Sequence, residues 1–440
     1  MLFNKFNLLV KNSFRMKKIL LFFLLYSTTT FGQNAGHITL DECYRLAQDN
    51  FPLVKQRGWI RDANALSINS LKNNYLPQIE LNAQATYQSD VTSFPVKLPN
   101  VEITPLSKDQ YKAALDIKQI VWDGGIIKMQ EKVLNSTAEV EIQKIEVETA
   151  KLKERVNQLY FNILQIEENE KLVDLLKSDM ASRIKKVEGA VANGAALKMN
   201  LQTLQAEDLK ADQRIIELKS ARSAAIQMLG LLINKSLDEQ TIFDKPTPQY
   251  DNKNVVSLPI SRPELTLFDL QKKQIDESLK VAALKNFPRI FAFATLGYGR
   301  PGLNFLKNDF VPYGIGGLSL KWNLADIYSK TLKNDLQIMK NNVQIVDIQK
   351  DIFLLNTNII VKQQSAELTK LEQLIEKDRQ ILELREKIKQ TAAVQLENGI
   401  ITANDYLIEL NAENQTRQNL VLHELQLLNA NINLKTTLGK

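Results

Sequence analysis

The sequence predicts a mainly α protein with a small β part, laid out twice in one chain. Three observations carry this. Landmarks recur in the same order roughly 200 to 210 residues apart: Pro77 with Pro288, Trp122 with Trp322, Asn193-Gly194 with Asn398-Gly399, and Leu229-Gly230 with Leu438-Gly439. A period that long suits a duplicated unit, not a solenoid of small repeats. Glycine and proline are both absent from 126–188 and again from 318–398, although an ordinary helix averages about 11 to 12 residues. Two short segments of period-two alternation precede each of these uninterrupted stretches.

The chain opens with Met16-Lys17-Lys18, an apolar run from Ile19 to Tyr26, and small or polar residues to Gly32-Gln33. A basic start, an apolar stretch too short to span a bilayer and a cleavage-like end predict a secretory signal over 1–32, with Met1 or Met16 as initiator. Those residues hold five basic side chains and no acid, so their removal takes the formal charge from +6 to about +1. The basic balance therefore gives no reason to expect a nucleic-acid partner. Cys43 is the only cysteine; it lies past the expected cleavage point, away from an acylated N-terminus, and reads as a buried thiol, so lipidation is not expected.

Repeat 1 is expected over 33–235. Residues 38–75 read as helix, capped by Thr39 or Asp41 and interrupted at Pro52. Tyr75-Leu76-Pro77 ends it, because proline forces its predecessor toward extended geometry. Strands follow at about 78–90 and 111–122. In the first, Ile79, Leu81, Ala83, Ala85 and Tyr87 face one side and Glu80, Asn82, Gln84 and Thr86 the other; in the second, Tyr111, Ala113, Leu115 and Ile117 oppose Lys112, Asp116 and Lys118. A half-buried soluble sheet and a membrane strand share this alternation. A helical hairpin spans 124–235, its long arm carrying Ile145, Leu152, Leu159, Ile166 and Val173 at heptad spacing. Asn193-Gly194 suits a left-handed helix end and reversal. A polar, proline-rich side segment covers 236–262.

Repeat 2, over 263–440, restates this plan. A helix is followed by strands at about 289–299 and 311–322 and a hairpin over 323–438. Ile338, Ile345, Ile352 and Ile359 set its first heptad stripe, and Val361, Leu368, Ile375 and Leu382 its second. Asn398-Gly399 closes the reversal. At 1.5 Å per residue each long arm would reach about 100 Å and each return helix about half of that, so the side segments fall midway along the rods.

Chemistry is sparse. Two histidines and one cysteine leave no metal cluster, triad or thiolate site to assemble, and no enzyme activity or cofactor is expected. Gly297-Tyr298-Gly299-Arg300-Pro301-Gly302 matches a dinucleotide fingerprint, but a second strand follows instead of the helix that would hold pyrophosphate. Trp122 and Trp322 each close a strand, a position suited to a membrane–water boundary or to packing at the junction. Four strands cannot close a membrane barrel, which takes about eight or more, so spanning strands require several copies to share one barrel.

The duplicated layout, Tyr75-Leu76-Pro77-Gln78-Ile79 entering a strand, Val121-Trp122-Asp123-Gly124-Gly125 leaving one, and the reversals at Asn193-Gly194 and Leu396 to Asp405 resemble the TolC family of outer-membrane efflux proteins. The resemblance covers essentially the whole mature chain. It implies a homotrimer in the outer membrane whose strands form one shared β-barrel in contact with lipid, continuous with an α-helical tunnel reaching into the periplasm. It also implies hairpin tips (Asn193, Gly194, Asn398 and Gly399) docking a periplasmic adaptor that leads to an inner-membrane transporter. Asp405 matches an acidic position at the periplasmic entrance; its counterpart Asn200 is uncharged, and Ile401 stands where some members carry a basic residue. The resemblance implies passive export of small molecules or polypeptide. A periplasmic adaptor with one coiled-coil hairpin, or a structural coiled coil without a channel, is the alternative reading; the first would have one hairpin, and the second leaves the strands unexplained.

Overall fold

The computed structural model describes residues 36–92, 105–247, 259–324 and 328–440; the expected signal, most of the first inter-strand loop and the centre of the side segment lie outside them. The Thr39 hydroxyl accepts the Glu42 amide at 3.2 Å and starts α1 (Leu40–Asn50). The helix expected over 38–75 is divided. Pro52 opens a 3₁₀ turn (Pro52–Lys55), because its ring cannot continue a preceding helix, and α2 (Gln56–Lys72) follows.

Two small strands, β1 (His37–Ile38) and β4 (Ile242–Phe243), pair in parallel beside the middle of the rods. The buried Tyr160 hydroxyl lies 2.8 Å from the Ile38 carbonyl and 2.7 Å from that of Asp244, one donor shared between both segments. Phe243 meets the Tyr160 ring edge-on at 5.6 Å.

The main sheet is antiparallel throughout, in the order β2 (Gln78–Tyr87), β3 (Asp109–Trp122), β5 (Arg289–Arg300), β6 (Val311–Lys321). Neither β2 nor β6 has a second neighbour among the described residues. Where the chain leaves β3, the Asp123 carboxylate accepts the amides of Gly125 and Ile127, both at 2.8 Å, and the Tyr75 hydroxyl at 3.2 Å. Gly124 and Gly125 take φ +73° and +83° there, backbone that favours glycine. Asp123 thereby caps the first rod and ties the two strand-flanking motifs together.

That rod is α3 (Ile126–Ala150) and α4 (Leu152–Ala192), not the single helix expected. Buried Thr149 back-bonds to the Ile145 carbonyl at 2.7 Å, a contact that bends helices, and the ladder loosens at Lys151. α5 (Lys198–Ile233) returns along α4, α6 (Pro263–Leu284) lies beside α3, and α7 (Thr331–Glu397) runs along α6 and then α8 (Ala403–Leu438). At 67 residues, α7 is about 100 Å long.

α5 and α8 each have 36 residues, and the pairing of Leu229-Gly230 with Leu438-Gly439 does not survive inspection of their ends. Gly439 is the left-handed cap of α8, whereas Gly230 sits inside α5, where a Cβ would meet the Lys235 carbonyl at 2.9 Å. The left-handed cap of α5 is Asn234, φ +53°.

The two heptad stripes of α7 face opposite ways. Val361, Leu368, Ile375 and Leu382 are buried, Val361 and Leu368 in a cluster with Leu434 and Leu438 of α8, but Ile338, Ile345, Ile352 and Ile359 are 50–56% exposed. The step from 359 to 361 is two residues, about 200° around a helix, so the second stripe leaves the face of the first. With Ile348 and Leu355, also exposed, the upper stripe makes a knobs-into-holes seam with no facing helix among the described residues. Coiled-coil packing of this stripe within one chain, as the spacing suggests, is therefore not what the structure shows.

Candidate functional site

Register assigns the faces of the main sheet. Ile79, Ile117 and Ala294 lie in one row and Leu81, Leu115 and Leu296 in the next, so one face is apolar; Glu80, Asp116 and Thr295 share a row on the other. The apolar face is open: Leu81 is 75% exposed and Leu318 74%. β2 has ten residues; at about 3.4 Å per residue and a tilt of about 40° it rises about 26 Å, the height of a lipid-facing band.

Trp122 would fall on the polar face by strict alternation from Lys118 and Ile120. A bulge between Ile120 and Trp122 adds a residue, and Trp122 pairs with Ile290 on the apolar face instead. Leu320 also pairs with Ile290, and Trp322 lies two residues beyond Leu320. Both indoles stand half-exposed at the end of the sheet nearest the rods. The Trp322 indole N–H donates to the Asn286 carbonyl at 2.9 Å.

At the far end of the rods, the tips share one geometry. Asn193 and Asn398 cap α4 and α7, and Gly194 and Gly399 follow at φ +72° and +71°. Gly194 N–H donates to Val191 and Ala195 N–H to Ala190; Gly399 N–H donates to Leu396 and Ile400 N–H to Gln395. These are paired Schellman closures. A Cβ on either glycine would meet nothing within 4 Å, so the backbone angle alone requires glycine within the chain.

Asp405 and Asn200 occupy matching third positions of α8 and α5. Asp405 completes a capping box: its Oδ2 accepts the Thr402 amide at 3.0 Å, and its own amide donates to the Thr402 hydroxyl at 3.2 Å. The Thr402 hydroxyl and amide, in that order, lower the Asp405 carboxyl below its ordinary range. Asn200 turns across instead, its Oδ1 3.4 Å from the Ala403 amide.

Just inside the tips lies a charged belt that the sequence reading missed. Glu397 of α7 pairs with Arg183 and, at 2.7 Å, with Lys186, both on α4. Lys389 bridges Asp179 (3.1 Å) and buried Glu413 (3.3 Å), and Arg417 joins Glu413 to Glu386. Burial pulls the Lys389 ammonium down, but Asp179 and Glu413 outweigh it and hold the pKa above the usual lysine range. Basic partners near the second tip thus come from the first hairpin, not from the neighbourhood of Ile401. Residues 214 apart leave no local signal in the sequence; the only trace is Arg183 and Lys186 on one face of α4, shortly before the Asn193 reversal.

A scan against protein-family models finds no match, and a search of curated proteins finds none. Solved structures do match. The outer-membrane channel OprN superposes with a TM-score of 0.65 at 15% identity over 91% of this chain and 89% of its own. The outer membrane protein VceC of Vibrio cholerae gives 0.65 at 16% over 91% and 96%. The open state of the Neisseria gonorrhoeae MtrE outer membrane channel gives 0.62 at 15% over 91% and 88%. The chain has the fold of these outer-membrane channels.

Within that fold the apparent dinucleotide fingerprint has a packing explanation. A Cβ on Gly297 would lie 2.2 Å from the Tyr313 ring, and one on Gly299 2.6 Å from the Tyr111 carbonyl. These glycines make room for a cross-strand tyrosine and a neighbouring strand.

Proposed function

We propose that the chain is the exit duct of a tripartite efflux or type I secretion system in the outer membrane, assembled from three copies. The observation carrying this reading is that each layer of the chain is open at the same two edges. The sheet ends in unpaired β2 on one side and β6 on the other. The rods end in α2 and α5 on the first side, with exposed Trp59, Leu66, Leu209 and Ile216, and in the uncovered α7 seam on the second. A surface whose two edges differ, each apolar, closes by head-to-tail association into a ring. Four strands per copy fall short of the smallest membrane barrel, and open edges in lipid would leave backbone groups unsatisfied; three copies supply twelve strands.

In this assembly the apolar sheet face meets lipid, and Trp122 and Trp322 mark its periplasmic boundary. The rods enclose a tunnel, and the Asn193-Gly194 and Asn398-Gly399 tips receive a periplasmic adaptor that links to an inner-membrane transporter. Cargo passes unaltered. Native mass spectrometry of the detergent-extracted outer membrane is expected to give a trimer. A monomer, or recovery in the soluble periplasmic fraction, would refute the proposal.

A further inference from the structure

The polar face of the sheet carries an unusual distribution of cations. Arg289 and Lys321 are direct cross-strand partners at the end of the sheet nearest the rods. Lys118 lies on the same face two rows away, opposite Gln78 and Phe293, and Lys112 lies further along it, opposite Gln84 and Gly299. Like charges directly opposite one another destabilise a sheet, so folding alone gives no reason for the Arg289–Lys321 pair.

The rods treat their cations differently. There, lysines and arginines are repeatedly matched with carboxylates, as at Lys272–Asp347, Lys350–Asp269 and Lys389–Glu413. Among the described residues none of Lys112, Lys118, Arg289 and Lys321 has a carboxylate within 4 Å. Two of them rest on rings instead: Lys118 Nζ lies 4.3 Å from the centre of Phe291, and Lys112 Nζ 5.6 Å from that of Tyr313. A ring face orients an ammonium without cancelling its net charge. The face also holds acids, Glu80 opposite Asp116, but Asp116 is engaged by neutral donors, the Asn82 amide at 2.8 Å and the Thr295 hydroxyl at 2.5 Å. Four cations against two acids leave the wall positive, with three of those cations gathered at the end the rods feed.

We infer that Lys118, Arg289 and Lys321 form a basic collar where the tunnel enters the barrel, and that it favours anionic cargo, such as carboxylated or sulfonated small molecules. This rests on the reading of the sheet as part of a shared barrel with its polar face inward. A confined ring of one sign raises the local concentration of counter-ions by about tenfold or more, and charged rings of this kind set channel selectivity. The collar and Asp405 stand at opposite ends of the rods and act on different charges.

The test is ion selectivity in planar bilayers under a potassium chloride gradient, with added naphthalene trisulfonate as an anionic blocker. The variants are Lys118→Gln and Lys321→Glu. The second gives Arg289 an opposite-charge partner and so keeps or improves folding. The expected result is a fall of at least about threefold in the chloride-to-potassium permeability ratio for Lys321→Glu, a smaller fall for Lys118→Gln, and weaker block by the trisulfonate in both. Conducting trimers whose selectivity and block match the unsubstituted protein would overturn the collar while leaving the duct intact. Failure of the unsubstituted protein to form trimers or to conduct would overturn both.

Discussion

Arg183 of α4 donates to the carboxylate of Glu397 at the foot of α7, joining the two hairpins just above their tips. Lys186 Nζ reaches the same carboxylate at 2.7 Å, and the Arg183 guanidinium also lies 5.6 Å from the centre of the Tyr406 ring. Hydrogen bonding from Lys186 is the largest influence on Glu397 and, with the charges of both cations, lowers its carboxyl below the ordinary 4.5. A carboxyl depressed in the folded state contributes stability above its unfolded pKa, and the contribution is lost as pH falls through the lower folded value. The hydrogen-exchange protection factors in the last turn of α7 should therefore fall on acidification below about pH 4.5. Glu397→Gln should show the faster exchange already at neutral pH, with no further acid step in that turn.

The uncovered α7 seam predicts how assembly fails. Ile352 is 52% exposed in the single chain, so Ile352→Glu leaves the folded chain nearly unstrained but puts a carboxylate into the proposed contact between copies. Burying an unpaired charge there costs several kcal/mol, and monomers of unchanged helical content are expected in detergent. Normal trimers would place the seam outside the interface.

The tip glycines can be separated into backbone and docking roles. Asparagine tolerates the left-handed conformation and a β-branched residue does not. Gly194→Val should loosen the Schellman closure and lower thermal stability by a small amount. Gly194→Asn should keep the closure but project a side chain where the structure has open space. Loss of adaptor binding by Gly194→Asn, measured on stable trimers, would assign the tip to docking; full binding would leave the glycine a helix stop.

Asp405 holds a capping box and, in the proposed duct, would stand near the periplasmic entrance. Thr402→Ala should cost about 1 kcal/mol in helix-end stability without altering ion block. Asp405→Asn should weaken block by polyvalent cations applied from the tip side of a bilayer. Unchanged block would show that the three carboxylates do not converge on the pore.

Cys43 has no exposed surface, and burial, then the charge of Glu42, pushes its thiol up to about 12. The thiolate is the reactive species, so native protein should resist maleimide and become fully labelled only on unfolding. Labelling at native pH would mean that the contact between α1 and the rods opens.

Much of this protein follows from local patterns. Duplication, the strand pairs and the long rods are legible because alternation, heptads and glycine reversals act over a few residues. Gly194 and Gly399 follow from backbone sterics alone, and the α1 cap at Thr39 from one side chain and one amide. The interruption at Lys151 was not legible, since it depends on a buried threonine turning back on its own helix. Nor was the failed equivalence of Gly230 and Gly439, because only the left-handed backbone at Asn234 and Gly439 shows which residue ends each helix.

The remaining decisions belong to tertiary structure. Heptad spacing records that Ile345 and Ile352 seek a partner helix, but spacing is blind to which helix that is; the phase shift of about 200° after Ile359 turns them away from α8 and leaves them without a facing helix among the described residues. Alternation put Trp122 on the polar side, and only the bulge before it brings the indole to the apolar face. The Arg183–Glu397 bridge joins residues with no periodic relation, and a charge pair formed across such a separation is set by how the hairpins lie together, which no local preference encodes.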